Sequence, residues 1–192
     1  MDLIFAEDDH IYRHGEGGEI LPSATEILKA EGYTDPTWWT SEGCIRGTYV
    51  HKMVYLHNVG DLDVDNLDPQ LQGRYAAYLL FLKETGFQIL DSETMVHSHT
   101  YRYAGRYDIR GRFPNRLFPA VVDTKSGGVE PSVALQLGLY TSCLDGPHER
   151  VSLQLKDNGK YVLKWWSDRS DIGVALGAVA GFHWKNNNLK RR

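Results

Sequence analysis

The run Ala120-Val121-Val122-Asp123-Thr124-Lys125-Ser126-Gly127 constrains this chain more than any other. Its valine-rich start lacks polar alternation, the pattern of a strand buried on both faces. Such a strand needs a layer on each side. The run therefore predicts an α/β fold, a mixed central β-sheet flanked by helices. Side chains alternate along a strand, so Asp123 and Lys125 point the same way. A carboxylate and an ammonium buried together each need a partner. Two arrangements supply one: an ion pair closing a strand end before the Ser126-Gly127-Gly128 turn, or a working site.

Size and charge narrow the choice of function. The 192 residues suit one domain, 1–192, with a full core. With 42% hydrophobic and 24% charged residues, the chain reads as soluble and globular. A net charge of -4 argues against a surface that coats nucleic acid generally, so any phosphate binding must be local, through a few arginines or a metal. Cys44 and Cys143 are the two cysteines, too few for a four-thiolate zinc or iron–sulfur site. The start MDLIFAEDD does not read as a signal peptide, and no apolar run approaches the ~18 residues of a membrane span. The expectation is an intracellular protein, cytoplasmic in its cell or in a host cell, with no membrane contact.

In chain order, Leu3 to Leu21 reads as short strands, an N-terminal hairpin over 1–21 with a turn at Gly15-Glu16-Gly17-Gly18. Ser23 and Glu26 form a capping box for a helix that Gly32 ends. Asp35-Pro36 predicts another helix start, followed by Trp38 and Trp39. Ile45, Tyr49, Met53 and Leu56 share a helical stripe, with His51 off it and Gly47 one turn before His51. Asp61, Asp63 and Asp65 begin like a calcium loop, but Asn66 and Gln72 stand where glycine and glutamate are needed. Asp68-Pro69 starts a helix expected to turn Leu71, Tyr75, Tyr78, Leu79 and Leu82 inward.

Phe87 to Val96 reads as a strand, and Tyr101 to Arg112 as a second one. In the latter, Tyr101, Tyr103, Tyr107 and Ile109 should share one face, with Arg102, Arg106, Asp108, Arg110 and Arg112 on the other. Asp108 thus stands among arginines, either neutralised by them or held for a metal. His97 and His99 alternate without a third ligand in view and read as solvated. Pro131 starts a helix to about Ser142 on which Gln136 and Tyr140 share a face. A hairpin turns at Asp157-Asn158-Gly159. A buried core helix follows from about Asp168 to Trp184, its Gly173, Gly177 and Gly181 stripe expected against the sheet. Residues 185–192 form a basic tail.

The segments Arg46-Gly47-Thr48-Tyr49-Val50-His51, Gly105-Arg106-Tyr107-Asp108, Asp123-Thr124-Lys125 and Gln136-Leu137-Gly138-Leu139-Tyr140 occur in the order seen in a known family. The chain resembles the PD-(D/E)XK nuclease superfamily, in the RecB-like branch common in phages, over about residues 21–168. The resemblance implies a restriction-endonuclease-like αβββαβ core. It implies a Mg²⁺- or Mn²⁺-dependent deoxyribonuclease, a hydrolase acting on DNA in processing, recombination or repair. It implies Asp108, Asp123 and Lys125 as catalytic residues. Its metal ligands would be His51, Asp108, Asp123 and the Thr124 backbone carbonyl. Arg106, Arg110, Gln136 and Tyr140 would contact DNA or support the site. Glu93 would be an additional acid beside the site or for a second metal. Tyr107 stands where the superfamily name has proline, and the iron–sulfur cluster of some relatives is excluded by the cysteine count.

The chemistry accounts for these residue types. Phosphodiester hydrolysis needs a nucleophilic water and neutralised phosphate charge, and hard divalent ions held by carboxylates supply both. Two other functions compete: a catalytically silent nuclease-fold protein that only binds nucleic acid, and a structural protein whose acids and lysine merely pair. Intact Asp108, Asp123 and Lys125 disfavour the first. The positions of His51, Gln136 and Tyr140 disfavour the second. Trp38, Trp39, Trp165 and Trp166 suggest a lean toward single-stranded DNA, through stacking on unpaired bases.

Overall fold

A computed structural model describes residues 3–6, 11–14, 18–35, 37 and 40–189. Residues 15–17 of the expected turn, Pro36, Trp38, Trp39 and residues 190–192 of the basic tail lie outside the described residues.

Strands β1 (Leu3–Ala6), β2 (Ile11–His14) and β3 (Ile20–Leu21) form a small antiparallel sheet. Helices α1 (Ala24–Ala30), α2 (Ser41–Val59) and α3 (Pro69–Thr85) follow. Then come β4 (Gln88–Ser98), β5 (Tyr103–Arg112) and β6 (Ala120–Lys125). Helix α4 (Ser132–Ser142), the hairpin β7 (Glu149–Leu155) and β8 (Tyr161–Trp165), and α5 (Ser170–Asn188) complete the chain.

The second sheet has five strands in the order β4-β5-β6-β7-β8. All its pairs are antiparallel except β6 with β7. A parallel pair needs a crossover, and α4 provides it. The expected order, helices then three strands, a helix and a strand, is therefore realised.

Central strand β6 is buried on both faces, as its composition requires. Val121 packs into one core with Ile27, Leu137, Leu139 and Val179, from α1, α4 and α5. Ala120 and Val122 pack into another with Val50, Met53, Tyr78 and Phe81, from α2 and α3. The small sheet joins the large one beside β5, where the Ala104 N–H donates to the Pro22 carbonyl at 3.0 Å. Helix α3 approaches the β7–β8 turn so closely that a Cβ on Gly73 would lie 1.7 Å from the Asp157 carbonyl oxygen.

Local signals set most boundaries. Ser23 and Glu26 make the full capping box on α1. Asp68 caps α3 ahead of Pro69, and Gly60 and Gly86 end α2 and α3 in the left-handed region. At the Asp35-Pro36 signal, Asp35 accepts from the Thr37 N–H and hydroxyl, the contact of a capping residue, while Pro36, Trp38 and Trp39 lie outside the described residues. Helix α2 begins at Ser41 with Thr40 as its cap.

Several facing assignments differ from those expected. On α2 the buried residues are Val50, Met53 and Val54, while Ile45 and Tyr49 are 58% and 56% exposed. Both sets fit a helical period, and the docking of α2 onto β4 and β6 chooses between them. On α3, Ala77, Tyr78 and Phe81 are buried and Leu79 is exposed. Helix α5 is amphipathic, burying Ala175, Ala178, Val179 and Phe182 against α4 and α1. A Cβ at Gly173 or Gly177 would meet nothing, so the glycine stripe does not face the sheet. The start of the basic tail is helical to Asn188. No helix among the described residues is long and apolar enough to cross a membrane.

Candidate metal centre and cleft

Strands β5 and β6 diverge at the site. Their pairing runs from Gly111–Ala120 to Ile109–Val122 and goes no further. Just past that point the Asp108 Oδ2 accepts the Thr124 backbone N–H at 2.6 Å. The carboxylate thus takes the place of a backbone acceptor where the ladder ends. The same oxygen lies 3.2 Å from His51 Nδ1, in the middle of α2.

Across β5, the pairs Ser92–Ile109 and Thr94–Tyr107 place Glu93 of β4 opposite Asp108. Glu93 has a φ of 50°, a region that costs a residue with a Cβ and that clusters at functional sites. One ring nitrogen of His51 and one carboxylate oxygen each from Glu93 and Asp108 all lie within 4.8 Å of one another.

The alternation of β5 breaks here. Tyr107 packs toward α4 and α5, whereas Ile109 packs toward α2 and α3, so the two do not share a face. Arg106 stays with the site, its Nε 2.8 Å from Glu93 Oε2. Arg110 does not. Its Nε donates to Asp91 Oδ2 at 3.0 Å, and the Tyr107 hydroxyl donates to the same carboxylate's Oδ1 at 2.7 Å.

Asp123 and Lys125 are side by side as alternation requires, with Lys125 Nζ 3.0 and 2.8 Å from the two carboxylate oxygens. Asp123 is buried on the strand next to Asp108 but is not within the tight group of His51, Glu93 and Asp108. Thr124 reaches the site through its N–H. Gln136 Nε2 donates to the Tyr140 hydroxyl at 2.8 Å. Tyr140 is buried against the β5 backbone, and a Cβ on Gly105 would lie 2.4 Å from its Cε1. That places the Tyr140 ring beneath the strand that carries Asp108. His97 and His99 face each other elsewhere, Nε2 to Nε2 at 2.9 Å.

The electrostatics are those of crowded acids. The Asp108 carboxylate beside it outweighs burial and holds the His51 imidazole charged, its pKa raised to about 9. Burial works to raise Asp108, but His51, Lys125 and the Thr124 N–H together hold it below the ordinary carboxylate range. Burial, reinforced by Asp108, pushes Glu93 up to about 7. Burial also raises Asp123 against the pull of Lys125. Lys125 itself is raised, because Asp123 and Asp108 outweigh the effect of burial.

This donor set fits a hard divalent ion. Carboxylate oxygens suit magnesium and manganese, and an imidazole tilts the set toward manganese. A cation would also relieve the repulsion from Asp108 that adds to burial in raising Glu93. Glu93 is the member that carried the weakest sequence signal. No spacing marks it, and only its register opposite Asp108 brings it in.

A cleft of about 1010 Å³ opens onto this group. Thr48, His51, Lys52 and Tyr55 of α2 form one wall; Phe5 and Tyr12 of the small sheet line it as well. Trp165 and Trp166 are not in it. Trp165 packs on Phe113 with the Arg116 guanidinium 4.3 Å from its ring, and Trp166 donates to Ser152 Oγ at 2.7 Å.

No family model matches the sequence, and no curated protein matches it. Among solved structures, the chain is similar to an alkaline exonuclease (LHK-Exo) from Laribacter hongkongensis, at 15% identity and a TM-score of 0.42, over 88% of this chain and 91% of that one. It is also similar to LHK-Exo in complex with dAMP, at 14% identity and a TM-score of 0.46, over 90% of this chain and 95% of that one.

Proposed function

We propose that this chain is a divalent-metal-dependent DNA nuclease, a hydrolase of PD-(D/E)XK type in the RecB-like branch, working with magnesium or manganese. The observation that carries the proposal is the convergence of His51, Glu93 and Asp108 ligand atoms within 4.8 Å. The Asp123–Lys125 pair stands on the adjacent strand.

His51, Glu93 and Asp108 would hold the cation, with Asp123 alongside. When bound, it supplies Lewis acidity toward a phosphoryl oxygen and a lower pKa for a coordinated water. Lys125 keeps its proton at neutral pH, since its pKa is raised. Its role is therefore electrostatic: it donates hydrogen bonds to the attacking water and to the charge developing on the phosphate. Asp123 fixes the direction of that ammonium. Arg106 is poised at the cleft to exchange its contact with Glu93 for a phosphate oxygen. Gln136 and Tyr140 brace β5 from behind.

The test is a cleavage time course on labelled single-stranded and duplex DNA with Mg²⁺ or Mn²⁺. Cleavage by the wild type, none with a chelator, and none by Asp108→Asn is the expected result. Retained DNA binding with no cleavage of any substrate in either ion would instead establish a silent nucleic-acid-binding protein.

A further inference from the structure

The cleft holds one aromatic ring, that of Tyr55, which core packing does not explain. Tyr55 follows His51 by four residues on α2, so the two lie on one face of the helix. It lines the cleft that opens onto His51, Glu93 and Asp108 and is 38% exposed. Its neighbours Met53 and Val54 are buried. Among the described residues, its ring and hydroxyl make no hydrogen bond or ring contact. Lys52, beside it, is exposed in the same cleft.

Phe5 and Tyr12 border the cleft as well, their ring centroids 4.7 Å apart, but Tyr12 is buried in a small core with Leu21 and Ala104 and Phe5 packs on it, so Tyr55 is the ring left for a ligand. The Arg106 guanidinium lies 4.9 Å from the Phe5 ring centroid. The cleft thus combines an aromatic ring with two cations, Lys52 and Arg106, in a protein whose net charge is -4. Its volume of about 1010 Å³ is on the scale of a small-ligand pocket.

We infer that this cleft takes an unpaired DNA strand, with Tyr55 as the platform on which a base next to the scissile phosphate stacks. Placing that phosphate at the metal centre rests on the nuclease reading. The choice of an unpaired strand follows from stacking itself. A base inside a duplex has both faces covered by its neighbours, whereas an unpaired base offers its π-face to an exposed ring. The cations contact the backbone on either side and add salt dependence without sequence preference.

The experiment measures binding apart from cleavage. In a Lys125→Ala background with Ca²⁺, an oligonucleotide carrying one 2-aminopurine is titrated alone and as a duplex, with Tyr55 intact, Tyr55→Ala, Tyr55→Leu or Tyr55→Phe. Tighter binding of the unpaired form is expected, with 2-aminopurine fluorescence quenched. Tyr55→Ala and Tyr55→Leu should lose roughly ten- to a hundredfold in affinity for the unpaired form, and the quenching with it. Tyr55→Phe should retain both, and a Mn²⁺ titration should show an intact metal site in every variant. Unchanged affinity in Tyr55→Ala, or equal losses on duplex and unpaired DNA, overturns the inference. Cleavage by the wild type is assayed on the same oligonucleotides. Cleavage without Tyr55 dependence leaves the nuclease standing and removes the platform. Tyr55-dependent binding without cleavage does the reverse.

Discussion

Asp108 and Thr124 are joined by a 2.6 Å hydrogen bond from backbone to carboxylate, just past the last β5–β6 pair. Two facts follow from that one contact. The strands can diverge without leaving the Thr124 N–H unsatisfied, and the acid is fixed where the opening begins. The remaining capacity of the carboxylate then faces His51 and Glu93.

Replacing Asp108 should therefore separate structure from chemistry. Asp108→Ala removes the acceptor for the buried Thr124 N–H and should cost about 1–3 kcal/mol in chemical denaturation. Asp108→Asn keeps a side-chain oxygen as acceptor and should cost less. Both should lose divalent-ion binding by calorimetry. Equal stability losses in the two variants would show that the Thr124 bond contributes nothing.

The pH dependence of metal binding should come from His51, joined below about 7 by Glu93. Asp108 holds the imidazole charged up to about 9, and an imidazole must be neutral to bind a metal. Below that pH each binding event at His51 displaces a proton, so affinity should rise with pH, by up to about tenfold per unit. His51→Ala should flatten the slope above about pH 7 and leave the Glu93 contribution below it. The metal-free protein should show the opposite trend. A folded pKa raised above the ordinary 6.5 gives stability fully present below 6.5 and lost as pH rises through about 9. Metal titrations and melting curves across pH 6–9.5, a range chosen from that shift, check both signs.

What the sequence disclosed depends on how local each signal is. The doubly buried β6, the capping box at Ser23 and the Asn158-Gly159 turn are written in adjacent residues, and each stands as read. The proximity of Asp123 to Lys125 needs only strand alternation. Glu93 and Arg110 depend instead on register. A left-handed backbone at Glu93 and a break in alternation at Asp108 turn Glu93 toward His51 and Asp108 and leave Arg110 with Asp91. Neither event has a residue signature. The exposure of Tyr49 and Ile45 was hidden for another reason: α2 carries two apolar stripes of the same period, and only docking selects one.

Gly105 is the position where the support beneath Asp108 can be tested. A Cβ there would lie 2.4 Å from the Tyr140 ring. Gly105→Ala should force the ring aside and cost about 1–3 kcal/mol, the range for overpacking. Tyr140→Leu in the same chain should recover part of that loss, because the obstructing ring is gone. Tyr140→Phe removes only the acceptor of the Gln136 bond and should cost about 1 kcal/mol. Additive losses in the Gly105→Ala, Tyr140→Leu double variant would show that the two residues do not press on each other.

Lys125 distinguishes an enzyme from a protein whose acids and lysine merely pair. Its ammonium sits 2.8 Å from a buried Asp123 carboxylate, so removing it has two consequences. The first is structural: an unpaired buried charge typically costs about 3–5 kcal/mol. Asp123 already has a raised pKa because of burial, and without Lys125 it should rise further. The loss in Lys125→Ala should therefore shrink as pH falls and Asp123 takes up a proton. The second consequence is chemical. Without the ammonium the developing phosphate charge loses a donor, and the cleavage rate should fall by about 10²–10³, by analogy with loss of one oxyanion donor. DNA binding in Ca²⁺ should change far less if the lysine acts as proposed, chiefly in the transition state. Asp123→Asn should lower metal affinity as well as rate. Unfolding curves at several pH values, a metal titration and a cleavage time course on each variant separate these effects. A folded Lys125→Ala protein that cleaves DNA at the wild-type rate would remove Lys125 from the chemistry and leave it as the partner of Asp123 alone.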